Sequence, residues 1–192
     1  MATLTALSFA VEERDPFARG HALRVAVLAH SLASRAELDR DRIARLRTGA
    51  VLHDIGKLAV PREVLLKKGP LDEIEFMQIR RHPMAGARML RALGAALEAV
   101  PCVLFHHERW DGTGYPSGRG RDDIPLEARI LAVADSFDAM TSDRPYRPAC
   151  DAETALEELK RCAGTQFDPD LVEAFIAACY EGDLGWGNAV AV

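Results

Sequence analysis

Strand-like alternation of β-branched residues is nearly absent from this 192-residue sequence, which makes a sheet-based fold unsupported. No apolar run approaches the roughly 18 residues that a membrane span needs. The first twenty residues carry Glu12, Glu13 and Asp15, a composition that argues against a signal peptide. No CxxC spacing links Cys102, Cys150, Cys162 and Cys179, so the cysteines read as buried, reduced thiols of a cytoplasmic protein. There is no internal repeat and no low-complexity linker. An excess of basic charge is missing too: the net charge is −5, which leaves no footprint for DNA or RNA. A phosphate-bearing ligand would therefore have to be held by local charge or by metal.

What is present is a helical vocabulary. Ala, Leu, Arg and Glu dominate a chain that is 48% hydrophobic, so the expected class is all-α, in one domain over residues 1–192. Its core should span about 10–180, with a looser tail at 181–192 in which Trp186 is the one candidate for packing. Apolar periodicity and capping signals predict helices near 3–13, 20–35, 40–55, 72–81, 82–94, 101–107, 125–141, 151–162 and 169–180. Asp72 with Glu75 has the spacing of a capping box, and Asp168-Pro169 that of a cap followed by proline at the first helical position. One long loop remains, "ERWDGTGYPSGRGRDDI" at 108–124, and long loops in compact domains are usually functional or disordered.

The stretch "VLHDIGKLAVP" (51–61) sets His53 beside Asp54 in an apolar run, where an aspartate is costly unless paired or bound to metal. Five of the six histidines sit at helix ends or beside polar ligand types: His21, His53, His82, His106 and His107. Asp135 lies inside the largely apolar helix "ARILAVADSFDAM". Taken singly, these have plainer readings: Asp135 at a helix surface or paired with Arg129 or Arg144, and His21 or His82 as helix-face histidines, as His30 is. Together, five imidazoles and two carboxylates with no thiolate form a nitrogen–oxygen set that suits Fe, Mn, Ni or Zn better than Mg or Ca. Seven ligands exceed one tetrahedral ion and fit two ions bridged by a carboxylate, the arrangement that clamps a phosphoester. Lys57, three residues beyond Asp54, is placed to offer a cation to phosphate oxygens. No Ser–His–Asp or Cys–His arrangement competes.

The ordered segments "ERDPFARGHALRV" (13–25), "HDIGKLAVPREVLLKKGPL" (53–71), "RRHPMAGARML" (80–90), "HHERWDGTGYP" (106–116), "ARILAVADSFDAMTSDRPYRPA" (128–149) and "GTQFDPDLVEAF" (164–175) resemble the HD-GYP family of HD-superfamily phosphohydrolases. The resemblance implies an HD-domain helical bundle with a long GYP loop. It also implies hydrolysis of cyclic di-GMP, to linear pGpG or on to GMP, by bridging-hydroxide attack at a two- or three-metal centre, with Fe or Mn the best-fitting ions. Carried over by position, the metal ligands are His21, His53, Asp54, His82, His106, His107 and Asp135, with Asp54 as the bridge and Lys57 as the catalytic lysine. Tyr115, Arg144 and Arg147 match positions that contact base or phosphate, while Asp15 and Asp111 read as structural. Three-metal relatives carry a glutamate where this chain has Phe17, so two ions are expected here. Two rivals remain: another substrate, such as cyclic GMP-AMP, and a cyclic di-GMP receptor without turnover. The second includes a docking module for diguanylate cyclases through the GYP loop, likewise with negligible turnover. A homodimer is compatible with either.

Overall fold

The computed structural model describes residues 2–15, 18–143 and 148–182. Phe17, Arg144, Arg147 and the tail with Trp186 lie outside the described residues. Among the described residues, ten α-helices follow in order: α1 (Ala2–Arg14), α2 (His21–Arg35), α3 (Arg40–Leu52), α4 (Arg62–Leu65), α5 (Glu73–Arg80), α6 (His82–Leu93), α7 (Val100–Phe105), α8 (Leu126–Thr141), α9 (Ala152–Arg161) and α10 (Pro169–Glu181). No strand occurs among the described residues, in line with the all-α expectation.

The helix boundaries follow local chemistry. Asp72 and Glu75 form the reciprocal capping box that opens α5. Asp39, Asp151 and Asp168 accept backbone N–H bonds at the starts of α3, α9 and α10. Gly94 closes α6 in the left-handed conformation. The third helix departs from expectation. It ends at Leu52, not near 55, and a 3₁₀ run, Ile55–Ala59, and the four-residue α4 follow. Apolar residues continue past Leu52, so periodicity does not reveal the break. The break turns His53 and Asp54 inward together.

Two apolar clusters hold the bundle. The larger joins α2, α3, α8, α9 and α10 around Leu32, Leu46, Leu131, Phe137 and Phe175. The smaller joins the end of α3, the 3₁₀ run, α6 and α7 through Leu52, Ile55, Leu90 and Val103. Leu52 and Ile55 flank His53 and Asp54, so the smaller core clamps that pair from both sides. Of the cysteines, Cys102 alone is fully buried; Cys150, Cys162 and Cys179 are half-buried, which corrects the expectation of four buried thiols, and all four are free. His30 is exposed on α2, away from the other histidines.

Gly56 fixes how the 3₁₀ run meets α6. A Cβ there would lie 1.8 Å from the His82 carbonyl oxygen and 2.6 Å from the Gly86 nitrogen, so backbone packs directly on backbone. Gly56→Ala is expected to destabilise the protein by about 3 kcal/mol, the upper end for overpacking a rigid contact. Gly69→Ala, where a Cβ meets open space, should change stability by less than about 0.5 kcal/mol. Urea unfolding of the two variants checks the contrast, and equal effects would contradict it.

Candidate metal centre

Five histidines reach one buried point from four places in the chain. His21 opens α2, His53 follows α3, His82 opens α6, and His106 and His107 follow α7. Asp54 stands beside His53, and Asp135 enters from the middle of α8. His21, His53, Asp54, His82 and His106 are buried, and His107 is half-buried. Adjacent rings lie 4.1 to 5.3 Å apart from His21 through His53, His106 and His82 to His107. Six of the seven sequence-derived ligand candidates fall in two groups that offer ligand atoms within 4.8 Å of one another, His21, His53, Asp54 and His82, His106, His107, and Asp135 stands beside the first, with Oδ1 3.1 Å from His21 Nε2.

Hydrogen bonding orients the imidazoles. Nδ1 of His53, His82 and His106 lies 2.7, 2.8 and 2.9 Å from the carbonyl oxygens of Ala50, Ile79 and Val103. Each Nδ1 therefore carries the proton, and in the neutral ring Nε2 is left as a lone pair directed inward. His21 instead places Nδ1 2.6 Å from Oδ2 of Asp138 and Nε2 3.1 Å from Oδ1 of Asp135. Arg24 clamps Asp138 with Nε at 2.6 Å and Nη2 at 3.0 Å.

The inward donors fit divalent cations. Nε2 of His82 and His106 face each other at 3.2 Å, two lone pairs with no proton between them in the neutral tautomers. Nε2 of His53 is buried without a hydrogen-bond partner among the described residues. Asp54 spans the two groups, with Oδ1 3.3 Å from His82 Nε2 and Oδ2 3.4 Å from His53 Nε2. Lys57 Nζ lies 2.6 Å from Asp54 Oδ2. Asp135 Oδ1 also lies 3.8 Å from His53 Nε2. It makes no pair with Arg129, which binds Asp122 and Asp168 instead.

The electrostatics divide the histidines. Burial, reinforced by neighbouring imidazoles, pushes His82 and His107 down to about 3 and His106 well below its ordinary value. Burial opposes charge on His21 as well, but hydrogen bonds to Asp135 and Asp138 outweigh it and raise its pKa to about 9. Burial also opposes the charged form of Asp54, yet the charge of Lys57 beside it holds it well below the usual carboxylate range. Asp135 is likewise lowered against burial by its hydrogen bond to His21.

The GYP loop forms the outer wall. Asp111 accepts from Arg109 and from the backbone and hydroxyl of Thr113, consistent with a structural part. The buried Glu108 accepts from Ser117 N at 2.7 Å, Ser117 Oγ at 2.6 Å and Arg119 N at 3.1 Å. Gly114 admits no side chain, since a Cβ would lie 2.4 Å from the Arg109 nitrogen. Tyr115 is thereby stacked on His107, with centroids 4.8 Å apart and planes at 27°. A cleft of about 380 Å³ lies between this loop, α5 and α8, and His106, His107 and Asp135 line it.

Three residues that sequence reasoning passed over serve this site: Asp138, Arg24 and Glu108. Asp138 carried a legible signal, because it lies in the same apolar helix as Asp135 and its burial demands a partner equally. Glu108 gave none, since its role depends on the loop curling back over it.

A sequence profile of the HD domain family matches residues 6–171. The chain is 41% identical over 176 residues to the cyclic di-GMP phosphodiesterase response regulator RpfG of Xanthomonas campestris, covering 91% of this chain and 47% of that protein. It is 39% identical over 172 residues to the 3′3′-cGAMP-specific phosphodiesterase 3 of Vibrio cholerae, covering 89% and 37%. The crystal structure of the cyclic GMP-AMP-specific phosphodiesterase V-cGAP3 of V. cholerae superimposes with a TM-score of 0.75 at 19% identity, over 95% of this chain and 49% of that one. The chain thus spans about half or less of the length of these relatives. With its histidines and aspartates gathered in a helical bundle and a family match over most of its length, the chain belongs to the HD domain family.

Proposed function

We propose that this chain is a metal-dependent phosphodiesterase that opens cyclic di-GMP to linear pGpG in the cytoplasm. The observation that carries the reading is a buried set of inward Nε2 atoms, spanned by Asp54, at the end of a cleft walled by the GYP loop. Relatives named for cyclic di-GMP and for 3′3′-cGAMP hydrolysis support a cyclic dinucleotide as substrate. The GYP signature "HHERWDGTGYP" favours cyclic di-GMP between them. The absence, among the described residues, of any helix long and apolar enough to cross a membrane is compatible with that location.

Two divalent ions, Fe or Mn by the nitrogen–oxygen character of the donors, would supply Lewis-acid charge and water activation. His82, His106 and His107 would hold one and His21, His53 and Asp135 the other, with Asp54 shared. Asp138 orients His21 and fixes its tautomer, and Arg24 holds Asp138 ionised. Backbone carbonyls do the same orienting for His53, His82 and His106, which costs no additional charge. Lys57 keeps Asp54 ionised and brings a cation to the rim, where a scissile phosphate and its departing oxygen gather negative charge. Tyr115 closes the cleft beside His107 and excludes water from that side.

Loaded anaerobically with Mn²⁺ or Fe²⁺, the chain is expected to convert cyclic di-GMP to pGpG, and faster than it converts cyclic GMP-AMP. Chromatography of timed products checks this, and binding without turnover would favour the receptor reading. Asp54→Ala should reduce bound metal from about two ions per chain to one or fewer and lower turnover by at least about a hundredfold. Unchanged metal content would contradict the bridging role. His21, with its pKa raised to about 9, is protonated near neutral pH in the metal-free protein, whereas His82 and His107 are not. Metal binding near pH 7.5 should therefore release about one proton per chain, measurable by calorimetry in buffers of different ionisation enthalpy. As pH rises through 9 that release should vanish, because His21 has by then lost its proton already; pH-independent release would contradict the assignment.

A further inference from the structure

The cleft beside the metal centre has a cation whose hydrogen-bonding capacity is unspent. Arg80, the last residue of α5, is exposed, and its guanidinium has no carboxylate or hydrogen-bond partner among the described residues. It is nevertheless held in place. Its guanidinium carbon lies 4.7 Å from the centroid of the Tyr115 ring and 5.7 Å from that of Phe76, one helical turn earlier on α5. Its flat face is taken up by aromatic rings, and its N–H edge is left for a ligand.

The other charged residues of the cleft are committed elsewhere. Arg109 spends Nε and Nη2 on Asp111 and Thr113 and Nη1 on Gln166. Asp135 faces His21 and His53. Lys57, deeper in, is on Asp54. Arg80 sits one ring farther out: His107 to Tyr115 is 4.8 Å, and Tyr115 to Arg80 is 4.7 Å. A cyclic dinucleotide carries two phosphodiesters on opposite sides of one ring. When one is at the histidines, the other must lie outward along the cleft.

We infer that Arg80, braced by Tyr115 and Phe76, is the subsite for the phosphate that is not being cleaved. The inference rests on the phosphodiesterase reading above and gives Tyr115 a second duty, which is to hold this guanidinium. A phosphate contact is common to every cyclic dinucleotide, so Arg80 contributes affinity for the two-phosphate ring and leaves the choice of base to other groups.

The test compares cyclic di-GMP and cyclic GMP-AMP with bis(p-nitrophenyl) phosphate, a diester with a single phosphate, on Mn²⁺-loaded protein. For Arg80→Gln, kcat/KM should fall at least about tenfold more for both cyclic dinucleotides than for the one-phosphate diester, the size expected for losing a charge-assisted contact. The loss should lie mainly in KM and shrink as salt rises. Arg80→Lys, which keeps the charge and loses the fork, should recover part of it. Equal losses on all three substrates would overturn the inference, and so would unequal losses on the two dinucleotides, which would mean that Arg80 reads a base. Wild-type protein that cleaves the simple diester but neither dinucleotide would overturn the substrate reading together with the subsite. Failure of the subsite alone is thus distinguishable.

Discussion

Two imidazole nitrogens facing each other at 3.2 Å, both left as lone pairs by the proton on the far side of each ring, set the terms for the rest of this molecule. Lone pairs at that separation repel, and burial removes the water that would screen them. A cation between the donors turns the repulsion into attraction. The backbone carbonyls of Ala50, Ile79 and Val103 are what hold the tautomers so that this holds for His53, His82 and His106 alike. His21 is the exception, oriented by Asp138 and therefore carrying a different protonation state.

That requirement explains otherwise costly features of the fold. α3 stops at Leu52 so that His53 and Asp54 can turn together into the cluster. Gly56 and Gly86 let the following 3₁₀ run lie against the start of α6, which sets Asp54 within 3.3 Å of His82. The smaller apolar core, with Leu52 and Ile55 on either side of the pair, keeps this geometry rigid. Packing energy spent there preserves an arrangement of donors that is unfavourable in isolation.

Much of this was legible in the sequence, for physical reasons that differ by element. The capping box at Asp72 and the Asp168-Pro169 start of α10 are local interactions, so a few residues suffice to specify them. The ligand candidates were legible because burying a carboxylate or several histidines without a partner is expensive, whatever the fold. The early end of α3 and the 3₁₀ run were not, because they answer to a contact between Gly56 and the backbone of α6 some 26 residues away. Glu108 and Arg80 were illegible for the same reason: each acquires its role from a loop or ring brought over it by the tertiary fold. The GYP loop, open to two readings as a long glycine-rich segment, is an ordered wall because Glu108 and Asp111 satisfy its backbone from within.

The central claim is that the two groups of ligands hold one ion each and that Asp54 joins them. Anomalous diffraction from crystals of the Mn²⁺-loaded protein tests it most directly. The account predicts two peaks, one at His82, His106 and His107 and one at His21, His53 and Asp135, with a different oxygen of Asp54 directed to each. A single peak, or two peaks with Asp54 bound to neither, would contradict it.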